Sequence, residues 1–542
     1  MTTAPNRTRS WWGWGWTDAA LSDVECRRYA SLVPGAATDL LQAPAIADLK
    51  LRAPRIEAPA GLEATLTSDP ADRASHTYGK AFRDVVRALH GDMGSAPDLV
   101  AYPRTENDIV AVLDWAGDAD VAVIPYGAGS SVVGGTEYGG DDHSGVVSLD
   151  LSRLDRVLEI DPVSRAAHIQ AGIYGPALED ALRPRGYTLR HFPQSFEFST
   201  LGGWLATRSG GHYATNRTHL DDFVESVRVV TPTGVSESWR LPGSGAGPSP
   251  DRLFLGSEGT LGVITEAWMR IQDRPTFKAS TSVSFSDVAE AFGAVRSILQ
   301  AGCTPANCRL LDPGEAGLSG ASSSGAWILV LGEESAHHPV DDALALLVDI
   351  VRSAGGRAAE PTNDRSSAAR GDDHESGDGW DGAADTWRSA FIRMPYVRDA
   401  MARMSVISET FETAVTWDHL ETLYHDVRNE IGAAITEVTG APGLINCRLT
   451  HSYPDGAAPY FTVIAAGRRG SEVAMWDEIK AAAMEVLTRH RATVTHHHAV
   501  GRDHRPGYDR QRPDRFAAAL RAVKAELDPA GILNPGVLVD PG

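Results

Sequence analysis

The sequence predicts an α+β fold divided into two or three domains. Short apolar stretches rich in β-branched residues, such as Val121–Pro125 and Val224–Val230, alternate with segments of helical periodicity from residue 99 onward. A second strand–helix–strand–helix order begins near Pro275 and indicates another α+β unit. The chain has 542 residues, which is long enough for this organisation. The alternation alone is also compatible with an α/β arrangement.

The expected elements follow from these patterns in chain order. Helices are predicted at Tyr78–His90, Glu106–Ala116, Tyr174–Arg183, Val288–Gln300, Val340–Ala354 and from Asp514 onward, the last followed by a turn that reaches Leu538. Strands are predicted at Val121–Pro125, Val146–Leu149, Ala167–Ala171, Val224–Val230, Thr281–Phe285 and Ala326–Leu331. Thr105 is a suitable N-cap for the second helix. The predicted boundaries give units of residues 1–95, 96–275, 276–490 and 491–542.

Composition excludes several classes of protein. The formal net charge of −21 disfavours binding to nucleic acid, and a phosphorylated ligand would need a local basic site. No run of about 18 apolar residues predicts a membrane-spanning helix, and the first residues lack the apolar core of a signal peptide. The four cysteines are too few and scattered for a disulfide framework, which fits a cytoplasmic location. The acidic stretch Glu360–Ala384 is interpreted as a mobile surface loop, since it lacks the spacing of a calcium-binding EF-hand.

Three separate loops have the composition of a cofactor site. They are Pro125–Ser131 (PYGAGSS), Pro193–Gly211 (PQSFEFSTLGGWLATRSGG) and Gly256–Ile264 (GSEGTLGVI). Glycine allows backbone to approach a flat ring or a phosphate closely, and the hydroxyls offer hydrogen bonds. Successive N–H groups in PYGAGSS would suit a pyrophosphate, although a tight turn between strands explains the same residues. Val132 breaks the Rossmann fingerprint and no Walker lysine is present, so a nicotinamide or nucleoside-triphosphate site is weakly supported.

Three consecutive histidines, His496, His497 and His498, form the other conspicuous motif. On an extended strand His496 and His498 would share one face and His497 the other. Acid–base catalysis, a structural role and metal ligation all remain open, although no cysteine or carboxylate stands at a recognisable ligand spacing. By spacing alone Tyr460 is a core aromatic of a buried strand, and Arg398 is the partner of Asp399 at a helix start.

Several motifs together resemble one family of flavoproteins. The chain is similar to the alkyldihydroxyacetonephosphate synthases, within the vanillyl-alcohol-oxidase type, over nearly its whole length. The residues that carry this resemblance are WWGWGWTDAAL (11–21), PDLVAYPRTENDIVAVL (97–113), PYGAGSSV, PQSFEFSTLGGWLATRSGG, LGSEGTLGVITEA (255–267), YVRD, FETAVTWDHL (411–420), CRLTHSY (447–453), PYF and HHHAVG. The Trp/Gly cluster, FETAVTWD and the triple histidine are the narrowest of these signals.

The resemblance implies a two-lobed fold with an FAD-binding domain (96–275) and an α+β cap domain (276–490). Residues 1–95 would pack on the flavin domain, and residues 491–542 would return to the active site. The cofactor FAD would be bound by Pro125, Tyr126, Gly127, Ala128, Gly129, Ser130, Ser131, Gln194, Ser195, Phe196, Glu197, Phe198, Ser199, Thr200, Thr207, Arg208, Ser209, Gly210, Glu258, Gly259, Thr260, Leu261, Gly262, Val263 and Ile264. Arg398 would bind the substrate phosphate, and Tyr460 with His496–His498 would be catalytic. No metal is implied.

The resemblance also implies a reaction and its partners. The family exchanges the acyl chain of acyl-dihydroxyacetone phosphate for a fatty alcohol, with flavin N5 holding carbon C1 and no net oxidation. The expected partners are a phosphorylated, lipid-like small molecule and a fatty alcohol, with no nucleic acid. A homodimer and peripheral contact with the inner face of a membrane are further expectations. Two other hypotheses are an FAD-dependent oxidase or dehydrogenase of an alcohol or 2-hydroxy acid, and a flavin-free binding protein, because a fold does not fix a function.

Overall fold

The computed structural model describes residues 7–140, 142–213, 219–364 and 383–540. The helices, which include one adjoining π-helical turn (Val427–Ile431), are α1 (Asp23–Ala30), α2 (Pro70–Ser75), α3 (Phe82–Leu89), α4 (Glu106–Asp118), α5 (Gly175–Leu182), α6 (Leu201–Thr207), α7 (Asp251–Phe254), α8 (Val288–Gln300), α9 (Pro313–Ser319), α10 (Asp341–Ser353), α11 (Ala383–Arg403), α12 (Trp417–Asp426), α13 (Gly432–Thr439), α14 (Glu472–Arg489), α15 (Arg505–Gln511) and α16 (Asp514–Leu527).

The strands alternate with these helices. They are β1 (Leu66–Thr67), β2 (Leu99–Ala101), β3 (Val121–Tyr126), β4 (Gly145–Asp150), β5 (Val157–Asp161), β6 (Ala166–Gln170), β7 (Tyr187–Thr188), β8 (Val224–Thr231), β9 (Gly234–Glu237), β10 (Val263–Arg270), β11 (Gln272–Asp273), β12 (Phe277–Phe285), β13 (Asn307–Leu311), β14 (Trp327–Ser335), β15 (Arg357–Ala358), β16 (Thr362–Asp364), β17 (Val406–Glu412), β18 (Val415–Thr416), β19 (Leu444–Ser452) and β20 (Gly456–Ala466).

A small sheet, sheet A, carries the first cofactor-type loop. Its strand order is β1-β2-β4-β3, and β4 runs parallel to both β2 and β3. Parallel neighbours cannot be joined by a tight hairpin, so the loop after β3 is not the strand-to-strand turn that composition allowed. The C-terminal segment adds to the free edge of β3, where Val123 N–H donates to Ile532 O (2.8 Å) and Asn534 N–H donates to Val123 O (2.9 Å).

Two larger antiparallel sheets and the two-stranded antiparallel pair β11-β7 complete the architecture. Sheet B has the order β5-β6-β10-β8-β9, and sheet C runs β15-β12-β14-β13-β19-β20-β17, with β16 on β12 and β18 on β20. A large hydrophobic core joins sheet C to α8, α10, α12 and α14, whereas a second core joins sheet B to α5, α6 and α16. Antiparallel pairing dominates, which confirms the α+β class over the α/β alternative.

The N-terminal residues contact both lobes, and their assignment to the flavin domain remains a prediction. Helix α3 contributes Phe82, Val86 and Leu89 to the core of sheet C, and α1 packs against α11. Residues near β1 do pack on sheet A, through Leu66. The apolar faces of α1 and α3 therefore belong to the second lobe. The divisions at residues 95, 275 and 490 remain predictions.

Most predicted elements agree with the structure within a few residues. Thr105 is the N-cap of α4, since its Oγ1 accepts from the Asp108 N–H at 3.2 Å. The first predicted helix is shorter, because residues 78–81 are not helical and α3 begins at Phe82. Within the described ranges no helix has the length and apolar character needed to cross a bilayer. The predicted loop Glu360–Ala384 falls mainly on residues 365–382, outside the described residues.

Candidate active site

One large cavity of about 240 Å³ lies between sheets A and B and sheet C. The three cofactor-type loops line one side of it, and strands β17, β19 and β20 with helix α11 line the other. Loops brought together from separate parts of the sequence thus face a single space. This is the usual form of a ligand site, concave and lined by apolar surface with a few polar groups.

The loop after β3 is shaped by its glycines. Gly129 has a φ of +67°, and a Cβ there would clash with the Tyr126 hydroxyl. A Cβ on Gly127 would clash with Thr200 Oγ1, which belongs to the second cofactor-type loop. Ser131 Oγ accepts from the Gly135 N–H at 2.9 Å and ties the end of the loop. Backbone is therefore exposed along the cavity, as a pyrophosphate site requires.

The second loop contains helix α6. Thr200 is the N-cap, its Oγ1 accepting from Gly203 N–H at 3.3 Å, and a Cβ on Gly202 would lie 2.8 Å from Ala171 Cβ. Close packing of α6 onto sheet B places Thr207, Ser209 and Gly210 beside the cavity. A glycine-lined wall of this kind suits a flat ring system.

The third loop contributes a buried carboxyl group. Glu258 accepts from the N–H groups of Val500 (2.9 Å) and Gly501 (2.8 Å), and burial raises its pKa to about 7 despite those bonds. A Cβ on Gly259, whose φ is +74°, would lie 2.8 Å from Pro125. The C-terminal segment, the third loop and the first loop are thus held in contact.

The residues fit FAD. Besides the glycine-lined walls, the buried Thr136 hydroxyl lines the cavity and has no hydrogen-bond partner within the described residues. A buried hydroxyl without a partner costs free energy unless a ligand satisfies it. Thr136 was not singled out by sequence, since a lone threonine in a glycine-rich loop carries no signal.

We expect Gly129→Ala to lower the flavin bound per protein. The new Cβ meets the Tyr126 hydroxyl and forces the loop away from the position that a pyrophosphate needs. Gly186→Ala is the matched control, because Gly186 has a similar φ of +78° but open space where its Cβ would lie. Flavin absorbance relative to protein absorbance measures both variants. Full flavin content in Gly129→Ala would contradict this placement of the cofactor.

Sheet C presents a row of polar residues on the face that lines the cavity. Tyr460 on β20 lies directly opposite Glu412 on β17 and Arg448 on β19. Directly opposed residues point to the same face of a sheet, so all three side chains meet there. The Arg448 guanidinium lies 3.9 Å from the Tyr460 ring centroid and is paired with Glu315 at 2.6 Å. Tyr460 is 4% exposed, so its hydroxyl acts in a dry environment.

The Glu412 carboxylate holds the histidine run by accepting hydrogen bonds from the backbone N–H groups of the run. The carboxylate accepts from the N–H groups of His496 (2.5 Å), His497 (2.9 Å) and His498 (2.8 Å) and from the Thr495 hydroxyl (2.7 Å). The run is therefore a loop wrapped around an anion, so the two-faced arrangement that an extended strand would give does not apply. Burial alone would raise the pKa of Glu412, but the N–H and O–H groups that donate to its carboxylate hold the pKa below its usual value.

The histidine side chains diverge from this anchor. His497 and His498 line the cavity, and Tyr460 stacks on His497 (6.2 Å, 23°) and meets His498 edge-on (5.5 Å, 84°). The third side chain, His496, instead hydrogen-bonds the Tyr453 hydroxyl. Burial lowers the pKa of His497 to about 3 and that of His498 well below its usual value, so both imidazoles are neutral at pH 7.

Two groups of side chains bring potential metal ligands within 4.8 Å of one another. They are His451 with His496 and His497, and Glu412 with His497 and His498. The Glu412 oxygens already accept four hydrogen bonds, and the Nδ1 atoms of His496 and His497 lie 3.2 Å apart in a hydrogen bond. These bonds favour a hydrogen-bonded network over metal ligation.

Arg398 lies in the last turns of α11, not at a helix start. It lines the cavity on the same helix face as Met394. Its neighbour Asp399 accepts from the Trp14 N–H at 2.6 Å. Arg398 has no salt bridge with any residue in the described part of the chain. A guanidinium that faces a cavity without a carboxylate partner suits a phosphate.

The structure brings most of the predicted residues to this cavity. Those that line it are Pro125, Tyr126, Gly127, Ala128, Gly129, Ser130, Ser131, Gln194, Ser195, Ser199, Thr200, Thr207, Ser209, Gly210, Glu258, Gly259, Gly262, Val263, Ile264, Arg398, Tyr460, His497 and His498. Their individual contacts with FAD or substrate remain predictions.

Seven predicted residues do not line it: Phe196, Glu197, Phe198, Arg208, Thr260, Leu261 and His496. Three of them show why. Glu197 points to solvent, Arg208 pairs with Asp221 at 3.0 Å, and Leu261 is part of the core of sheet B. Sequence reasoning missed other lining residues, among them Trp14, Thr136, Arg309, Arg448 and His451.

Comparison with known proteins agrees with this geometry. Residues 97–237 match the family model "FAD binding domain", and residues 274–538 match "FAD linked oxidases, C-terminal domain". An alkyldihydroxyacetonephosphate synthase of Dictyostelium discoideum is 32% identical over 502 residues, which are 88% of this chain and 78% of that protein. A solved alkyldihydroxyacetonephosphate synthase superposes with a TM-score of 0.81 at 27% identity, covering 97% of this chain and 98% of the other. A 4-ethylphenol oxidase from Gulosibacter chungangensis shares the fold, with a TM-score of 0.64 at 14% identity over 88% of this chain and 94% of its own.

The fold, the cavity and these matches define a two-lobed, FAD-dependent enzyme of the vanillyl-alcohol-oxidase type. The α+β fold class and FAD as the cofactor are thereby confirmed. Within that class, the chain belongs to the alkyldihydroxyacetonephosphate synthase family.

Proposed function

We propose that this enzyme exchanges the acyl chain of acyl-dihydroxyacetone phosphate for a fatty alcohol and so forms an ether bond. The fatty alcohol oxygen replaces the acyl oxygen at carbon C1, and a fatty acid leaves, so the reaction has no net oxidation. The observation that carries the proposal is one cavity lined by two groups. They are the Arg398 guanidinium, which has no salt bridge with the described residues, and the buried Tyr460, whose ring packs against His497 and His498.

FAD, when bound, supplies ring nitrogen N5 as the group that holds carbon C1 of the ketone. The protein must then remove a proton from C1 and return it. Tyr460 is our candidate for this transfer, because its hydroxyl is buried in the cavity wall beside His497 and His498. Neutral imidazoles can accept a proton from the tyrosine or relay it, as general acid–base catalysis requires.

Arg398 is the proposed phosphate-binding residue. In a protein of net charge −21, a dianionic substrate needs a dedicated cation, and the planar guanidinium can bind two phosphate oxygens at once. The proposal also includes a homodimer, a cytoplasmic location and peripheral contact with a membrane. Sedimentation and flotation with anionic vesicles test the first and last of these.

We expect Arg398→Lys to weaken binding of the phosphorylated ketone and Arg398→Ala to weaken it further. A hydrogen bond to a charged group contributes roughly 1.5–3 kcal/mol, which corresponds to about one to two decades in affinity. Titration followed by the flavin spectrum measures the effect, and flavin content should not change. Arg393→Ala is the control on the same helix, since Arg393 is exposed and does not line the cavity. Normal binding by Arg398→Ala would remove this residue from the site.

The turnover experiment separates the proposal from an oxidase on the same fold. Purified protein is mixed with acyl-dihydroxyacetone phosphate and a labelled fatty alcohol, and ether product, fatty acid and peroxide are measured together. The proposal requires labelled ether and released fatty acid without oxygen uptake. Peroxide formed from an alcohol or a 2-hydroxy acid, with no ether product, would favour the oxidase instead.

A further inference from the structure

The Trp/Gly segment (Trp11–Trp16) lies at the active site, although neither the cofactor nor the proposed chemistry accounts for it. The segment packs between the second cofactor-type loop and helix α11. Trp14 contacts Phe198 of that loop with ring centroids 6.4 Å apart, and Phe198 in turn meets Tyr396 of α11 edge-on at 6.0 Å. The N-terminal segment therefore bridges the two lobes beside the cavity.

The two glycines of the segment allow this close approach to α11. A Cβ on Gly13 would clash with the Asp399 carboxylate, and one on Gly15, whose φ is +68°, would clash with the Tyr396 hydroxyl. Trp14 N–H donates to Asp399 at 2.6 Å, and Trp16 N–H donates to the Tyr396 hydroxyl at 3.2 Å. The backbone of Trp14 is thus fixed against the residue that follows Arg398.

The side chain of Trp14 has one unused polar group. Trp14 is 6% exposed and lines the main cavity, and its indole Nε1 has no hydrogen-bond partner within the described residues. It also lines a second cavity of about 150 Å³ that Arg9 and Lys80 share. A buried donor without an acceptor costs roughly 1–3 kcal/mol, so an indole N–H held in this position favours a bound acceptor. Tryptophan offers a donor only, which restricts that acceptor to an oxygen such as those of a phosphate.

Helix α11 connects the Trp14 indole N–H to the proposed phosphate site, because Arg398 and Asp399 are neighbours on this helix. Met394, Pro395 and Arg398 form the part of the helix that lines the cavity, and Trp14 lines the same cavity. Asp399 is buried and bonded to Trp14 at its backbone, so it does not compete for the Arg398 guanidinium through a salt bridge. Trp14 and Arg398 therefore both line the cavity, and the Trp14 backbone is bonded to the residue that follows Arg398.

We propose that Trp14 is a substrate-binding residue whose indole N–H donates to the phosphate that Arg398 binds, and that Asp399 is the positioning residue that fixes Trp14. This inference rests on the proposed function, since it assumes a phosphorylated ketone as substrate. It assigns a role to the Trp/Gly segment that cofactor binding does not require.

The test is Trp14→Phe, which removes the N–H and keeps an aromatic wall. Dihydroxyacetone phosphate and unphosphorylated dihydroxyacetone are titrated against the FAD-loaded enzyme, with binding followed by the flavin spectrum. We expect the phosphorylated ligand to bind about tenfold more weakly or worse, and the unphosphorylated ligand to be unaffected. Trp12→Phe is the matched control, because Trp12 packs against the core of sheet C and does not line the cavity.

Asp399 is tested by rescue. Asp399→Ala removes the acceptor of the Trp14 backbone N–H and should weaken binding of the phosphorylated ligand, as Trp14→Phe does. Asp399→Asn keeps an acceptor oxygen, so this variant should bind the ligand normally. Equal weakening by both substitutions would overturn the positioning role.

The outcomes separate this inference from the proposed function. If the wild-type enzyme binds dihydroxyacetone phosphate no better than dihydroxyacetone, the phosphate site fails and both proposals fall. If the wild-type enzyme discriminates and Trp14→Phe discriminates equally well, only the role of Trp14 is overturned. If Trp14→Phe lost the same affinity for both ligands, Trp14 would be a packing residue, and its proposed role in phosphate binding would also be overturned.

Discussion

Tyr460→Phe is expected to keep FAD bound and to lose most turnover. The substitution deletes one buried hydroxyl from the wall that His497 and His498 contact, and it leaves the ring in place. A general acid or base contributes about 10²–10⁴ in rate, so kcat should fall by that factor. Ether formation measures kcat, and the flavin spectrum measures cofactor content.

Tyr424→Phe is the control for this substitution. Tyr424 is a buried tyrosine of the sheet C core whose hydroxyl lies 3.5 Å from Asp312, away from the cavity. Its variant should retain turnover. Retained turnover in Tyr460→Phe would exclude the hydroxyl from the mechanism. A histidine would then be the candidate for the proton transfer.

Glu412→Gln should have an effect of similar size on the rate by a different route. The carboxylate accepts three consecutive main-chain N–H groups and one hydroxyl, whereas an amide must turn its NH2 group toward some of those donors. The histidine loop would shift, and a misplacement of about 1 Å can cost on the order of 10²-fold in rate. We therefore expect kcat to fall by about that factor and the spectrum of bound flavin to change.

Glu409→Gln separates this local effect from a general loss of stability. Glu409 is a buried carboxylate of the same strand, but it points away from the cavity and pairs with Lys480 at 2.7 Å. Its loss should lower the Tm, because Lys480 is left buried without its partner, while kcat per folded enzyme is kept. If Glu412→Gln lowered only the Tm and left kcat intact, the carboxylate would be structural.

The sequence predicts the strands and helices of this protein better than it predicts the active site. Composition identified the loop after β3, because a backbone with positive φ and close approach to a ligand requires glycine, and glycine is visible in the local sequence. It could not tell a turn from a ligand loop, since that depends on the parallel pairing of β3 with β4. The pairing is a contact between distant segments, which no local pattern records.

The errors in the site have the same physical origin. The sequence of the histidine run does not show its backbone conformation, because Glu412, more than 80 residues earlier in the chain, accepts hydrogen bonds from its N–H groups. Arg398 was predicted at a helix start, yet α11 begins at Ala383 and continues through Pro395 to Arg403. Tyr460 was correctly expected in a buried strand, whereas its neighbours Glu412 and Arg448 depend on the register of three strands.

The bond between Trp14 and Asp399 joins residues that are 385 positions apart. At a synthesis rate of about 5–20 residues per second, the ribosome needs roughly 20–80 s to reach Asp399 after Trp14 has been made. Throughout that interval the tryptophans of the N-terminal segment lack the helix on which they dock. The Trp/Gly segment of the nascent chain consequently remains undocked until 399 of the 542 residues have been made, and the part of the site that Trp14 and Arg398 line cannot form before then.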